Sequence, residues 1–122
     1  MNKLSLPFSI KHVFVGFARI YGVLRIEENM IVLEFQTVDN LVKVLKSDVK
    51  NFSIPIADIE EIDFKKSIWG NKLTLRVSTL NDIKDIPNQE AGEIKLSIEG
   101  KYSEQALELV RQITPKVTEQ IN

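Results

Sequence analysis

The sequence predicts a mainly β fold: a partly open barrel of about seven antiparallel strands, capped by a single C-terminal α-helix. Three observations carry this. Six stretches alternate apolar and polar residues with a period of two, so each strand has one dry face and one wet face, as antiparallel layers require. One stretch near the C-terminus switches to a helical period, which supplies one amphipathic element able to cover the open end. The chain has 122 residues, long enough for one core and too short for two ordinary ones, so residues 1–122 are read as one domain.

Residues 1–18 admit two readings. Ile10, Phe14, Phe17 and Tyr21 recur at helical spacing, whereas Phe8 and Ile10, then Val13, Val15 and Phe17, recur at strand spacing, and Gly16 weakens both. From Ile20 the alternation is clear and strands are expected across 20–98. Leu24 and Ile26 alternate with Val23, Arg25 and Glu27, then Ile31, Leu33 and Phe35 alternate with Val32, Glu34 and Gln36, a hairpin that turns near Glu28 and Asn29. Residues 38–48 stay open between a helical turn around Leu41, Val44 and Leu45 and a strand extension. Further strands are expected over 49–56, where Pro55 marks an end or an edge, over 59–66 and over 72–77. A short strand is expected at Ile83 to Ile86, before Pro87, and a last one through Ile94, Leu96 and Ile98.

Gly100 stops that strand, and Ser103 is the expected N-cap of a helix over 103–114, with Tyr102 packing on Leu107 as a hydrophobic staple. Ala106, Leu109, Val110, Ile113 and Val117 form one narrow stripe on the helical wheel. Glu104 in the first turn and Arg111 near the end suit the helix dipole, and Pro115 is expected to stop or bend the helix around Thr114.

Composition removes several classes of function. Hydrophobic residues at 43% and charged residues at 27% mark a globular chain and not a disordered one. Sixteen basic against seventeen acidic residues give a formal net charge of -1, which offers no global attraction to nucleic acid or to an anionic membrane. The absence of cysteine removes disulfides, thiolate nucleophiles and thiolate zinc sites together. No apolar run approaches a membrane span and no signal-peptide core is visible, so the expected location is cytoplasmic.

One constellation stands out as a contact site. Lys65, Lys66 and Lys72 flank Ile68, Trp69 and Gly70, with no acid between Lys65 and Lys72. An indole among cations at a hairpin tip either meets a membrane interface or a protein partner, or folds back over the barrel rim; folding back is the expectation. Asp58, Glu60, Glu61 and Asp63 lack the spacing of a calcium loop and read as a solvated strand face that pairs with cations across strands. His12 is the single histidine and reads as a surface or packing residue, as Asp82 and Asp85 read as polar positions on a short strand. The five glycines are scattered and form no phosphate loop. No catalytic, metal or cofactor site is expected, and the chain is not expected to be an enzyme.

Gly22 to Ile26 leading to Met30 to Phe35, the segment IPIADIEEIDF at 54–64 and the hairpin FKKSIWGNKLTLRV at 64–77 resemble the small bacterial members of the pleckstrin-homology-like (PH/GRAM-like) family. The resemblance spans roughly residues 20–114 and implies a partly open barrel of two crossed antiparallel sheets plugged by the terminal helix. It also implies a non-enzymatic binding module. Many relatives bind phosphoinositides through basic residues on the first two strands and the loop between them. That loop would here be Glu27, Glu28 and Asn29, with Arg25 as its cation, and its two carboxylates would repel a phosphorylated headgroup. Protein interaction or self-association as a homo-oligomer therefore leads, through strand edges at 31–36 and 72–77, which carry no proline. A weak anionic membrane contact through 65–72 is the alternative.

Overall fold

Strict alternation turns seven segments into strands because each can bury one row of side chains while its backbone pairs with a neighbour. The computed structural model describes residues 4–13, 18–39, 49–79, 83–84, 86 and 89–121. Its strands are β1 (Ser5–Val13), β2 (Ala18–Glu27), β3 (Met30–Asp39), β4 (Lys50–Pro55), β5 (Ile59–Lys65), β6 (Asn71–Val77) and β7 (Glu93–Ile98), followed by α1 (Ser103–Ile121). A short 3-10 turn at Ile56–Asp58 joins β4 to β5, and another at Gly100–Tyr102 leads into α1. The strand order is β4-β3-β2-β1-β7-β6-β5, and the sheet does not close, since β4 and β5 are its two ends. The two halves meet at a narrow seam between β1 and β7, where Ser9 faces Ser97.

The undecided N-terminal segment is thus a central strand. Leu6, Phe8 and Ile10 are buried, so strand spacing prevailed, and the change of phase between Ile10 and Val13 is a register shift against β2. Phe14 and Phe17 lie outside the described residues, as do Leu41, Val44 and Leu45, and Asp82 and Asp85. Because β1 occupies this place, the hairpin turn at Glu28 and Asn29 joins the second strand to the third and not the first to the second. The Glu27 and Glu28 carboxylates therefore lie away from the loop between the first two strands that the resemblance implicates.

Of the strand expected at Ile83 to Ile86, the described residues Ile83, Lys84 and Ile86 are not in a strand: Ile83 and Lys84 lie in a turn, with a 2.9 Å bond from the Ile86 amide to the Ile83 carbonyl. Residues three apart cannot share a face of a strand, yet a turn lets both isoleucines reach the core, where they are fully buried. A second correction concerns α1, which runs through the exposed Pro115 to Ile121 and not to 114. Proline costs a helix interior about 3 kcal/mol, but the apolar stripe continues beyond it to the buried Val117, and Ala106, Leu109 and Ile113 are buried with it against β5, the Ile56–Asp58 turn and β1. Ser103 is not an N-cap in extended conformation; its backbone is already helical, and Glu99 begins the 3-10 entry. Leu107 is exposed.

One cluster of buried residues, drawn from every strand and from α1, forms the core. Phe52 stacks on Phe35 at 5.4 Å between ring centroids and covers the β3–β4 side. The edges also differ from expectation. The stretches at 31–36 and 72–77 lie in β3 and β6, which have neighbours on both sides, so the free edges belong to β4 and β5. Pro55 ends β4, and α1 packs along β5. Among the described residues no helix is long and apolar enough to cross a membrane.

Candidate functional site

The β5–β6 connection, residues 66–70, contains a four-residue turn, Ser67–Gly70, held by its own hydrogen bonds. The Gly70 amide donates to the Ser67 carbonyl at 3.2 Å, the Trp69 amide donates to Ser67 Oγ at 3.0 Å, and that hydroxyl donates to the Gly70 carbonyl at 2.9 Å. Asn71 Oδ1 accepts from the Ser67 amide at 3.3 Å. Gly70 adopts a φ of 125°, which a side chain would resist, so the glycine lets the turn close. The two central positions carry Ile68 and Trp69, which are 91% and 90% exposed. The indole therefore does not fold back over the rim, and that expectation fails: in a turn this tight the central side chains point away from the strands. Lys65 and Lys66 are exposed beside it, and Lys72 lies across the ladder from Lys65.

Lys72 belongs to a second feature. Pairing carries a row of outward positions across the sheet, from Lys72 to Ser97, from Ser97 to Ser9 and from Ser9 to Tyr21. Above this row a groove of about 440 Å³ opens over the β1–β7 seam. Lys11, Arg19 and Lys72 line it with Tyr21, Trp69 and Tyr102. Lys72 Nζ donates to Ser97 Oγ at 2.7 Å. Arg19 Nη1 donates to the Tyr21 hydroxyl at 3.1 Å, and the guanidinium lies 5.9 Å from the same ring. Desolvation, followed by repulsion from Lys11 and Lys95, holds the Lys72 ammonium below its ordinary pKa. Sequence reasoning selected Lys65, Lys66, Ile68, Trp69 and Lys72 but missed Lys11, Arg19, Tyr21 and Tyr102. Lys11, Arg19 and Tyr21 sit at outward strand positions and Tyr102 on the 3-10 turn after β7, so only the paired sheet reveals that they converge.

Elsewhere on the sheet two arginines are paired with carboxylates. Arg25 reaches Glu34 at 2.8 Å and Glu27 at 3.5 Å, and Arg76 reaches Glu93 at 2.8 Å and Glu61 at 3.5 Å. Glu61 of the acidic run thus pairs across strands, with Arg76 as its partner. Among the described residues no three His, Cys, Asp or Glu side chains converge as a metal site would require. No protein family, curated protein or solved structure matches this chain.

Proposed function

We propose that the chain is a non-enzymatic binding module of the pleckstrin-homology-like kind, which docks through the Ser67–Gly70 turn on an anionic membrane surface. One observation carries the reading: Ile68 and Trp69 are almost fully exposed on a hydrogen-bonded turn flanked by lysines. Three lysines near an anionic surface contribute only about 3 kcal/mol together, so the apolar pair has to supply the rest. Burying an Ile or an aromatic side chain adds about 1.5–3 kcal/mol each, and tryptophan favours the interfacial zone. The protein-interaction reading keeps one observation of its own, the unpaired outer edge of β4, although Lys50 at its start and Pro55 at its end oppose pairing there.

Sedimentation with vesicles of phosphatidylcholine and phosphatidylserine tests this, alongside light scattering for mass. Binding that falls with added salt and is lost in Trp69→Ala, with the melting temperature held, is the expected result. A chain that leaves such vesicles in the supernatant, or a mutant that binds as before, rejects the membrane surface. Concentration-dependent dimerisation without vesicle binding transfers the function to the β4 edge.

A further inference from the structure

We infer that the groove over the β1–β7 seam docks an extended acidic segment of a protein partner, whose carboxylates are spaced along its chain to meet Lys72, Lys11 and Arg19 in turn. The alternation that sends Leu6, Phe8 and Ile10 into the core turns Ser9 and Lys11 outward, so cations from β1, β2 and β6 line one space. Among the described residues none of the three has a carboxylate within ion-pair distance, in contrast to Arg25 and Arg76. The one acid of the described lining, Glu99, is engaged by Lys101 at 3.8 Å. Charge complementarity therefore selects an anionic occupant.

Spacing selects the shape of that occupant. The row from Lys72 through Ser97 and Ser9 to Tyr21 crosses three strand intervals, and Lys11 and Arg19 lie two residues beyond it on β1 and β2. At about 4.8 Å per strand and about 3.3 Å per residue, the Lys72 backbone stands roughly 12 Å from that of Lys11 and roughly 16 Å from that of Arg19. Four residues of extended chain cover about 13 Å, and every second side chain returns to the same face. Acids at alternate positions thus reach the three cations one after another, which a single compact anion does not. The turn beside the groove has no amide to spare for a compact anion either, since the Trp69 amide donates to Ser67 Oγ and the Gly70 amide to the Ser67 carbonyl. Desolvation, then repulsion from Lys11 and Lys95, holds the Lys72 ammonium below its ordinary pKa, and a carboxylate laid between Lys11 and Lys72 relieves that repulsion. Trp69, Tyr102 and Tyr21, the last beside Arg19, offer flat apolar surface to the residues between the acids. Trp69 belongs both to the groove and to the turn, but peptide docking does not require the turn to bind membranes.

Trp69 is the only tryptophan and stands in the groove lining, so its emission reports occupancy. The full chain is titrated, without vesicles, with the acetylated and amidated peptide Leu-Glu-Ala-Glu-Ala-Glu-Leu, with its counterpart carrying Gln for each Glu, and with inorganic phosphate. The expected result is a saturable response to the Glu peptide that weakens with added salt. It should be at least tenfold weaker for the Gln peptide, and at least tenfold weaker in the double variant Lys11→Gln and Lys72→Gln. Amide shifts in the unmutated chain give a reading that needs no variant, since the bound Glu peptide has to perturb Lys11, Arg19, Ser97 and Lys72 together. An equal response to the Gln peptide, shifts confined to the turn or to the β4 edge, or no saturable response overturns the proposal. Inorganic phosphate that binds as tightly as the Glu peptide overturns it too, because a compact anion would then suffice. None of these outcomes bears on vesicle binding by the turn, which sedimentation reads separately.

Discussion

Gly22→Ala isolates what the sheet asks of one residue. Strand propensity alone makes the change favourable, since glycine inside a regular element costs roughly 0.5–1 kcal/mol relative to alanine. The geometry opposes this. Gly22 lies opposite Phe8 on β1 and Phe35 on β3, and a methyl group there would meet the Glu34 carbonyl oxygen, Phe35 Cβ at 2.6 Å and the Phe8 ring at 2.8 Å. Two of these three neighbours sit on or next to the backbone of an interior strand and cannot turn aside. Overpacking of this sort costs typically about 1–3 kcal/mol, and the upper part of that range applies here. For a chain between the small and middle size classes, roughly 2–3 kcal/mol lowers the melting temperature by about 8–12 °C. Thermal denaturation followed by circular dichroism measures it. Gly100→Ala is the control, because its nearest neighbour is Asn71 Nδ2 at 3.8 Å, and its melt should lie close to wild type. A Gly22→Ala protein that melts at or above the wild-type temperature would falsify the tight β1–β2–β3 packing and, with it, the placement of the N-terminal strand.

Leu109→Ala removes a fully buried side chain of α1 and should cost about 2–5 kcal/mol in urea unfolding, typical for a core leucine; an unchanged midpoint would detach the helix from the core. Arg76→Gln tests the charge network by pH. The Arg76 hydrogen bond is the largest cause holding the Glu93 carboxyl below its ordinary value of 4.5, so the pair stabilises the fold above the ordinary carboxylate range and loses that contribution as the pH falls through the lowered value. The stability gap between wild type and mutant should be constant near neutrality and narrow below pH 4.5; a gap that persists into strong acid argues against the pairing.

Alternation made most of the sheet legible, because half-buried antiparallel strands write their burial into every second residue. Leu24, Leu33, Leu75 and Leu96 are buried where the pattern places them. The N-terminal strand was ambiguous for a definite reason: its register shift between Ile10 and Val13 breaks the period at the point where a strand would be recognised. Pro115 misled in the opposite direction, since a local rule about helix ends gave way to a tertiary gain at Val117.

The candidate site divides along the same line between local and long-range information. The Ser67–Gly70 turn is written in adjacent residues, so its lysines and indole were found, yet exposure of the indole depends on hydrogen bonds inside the turn that composition does not specify. The groove is different in kind. Lys11 and Arg19 sit on consecutive paired strands, but Lys72 is far along the chain and joins them only because β1 sits between β2 and β7, with one seam pair, Ser9 and Ser97, setting the register. A slip of one residue at that seam would turn Lys11 inward and Ile10 outward. The buried face of β1 forbids such a slip, because Leu6, Phe8 and Ile10 have no other place in the core. The hydrophobic core thereby fixes which cations share the groove, and the same residues that stabilise the fold determine the spacing of the site above it.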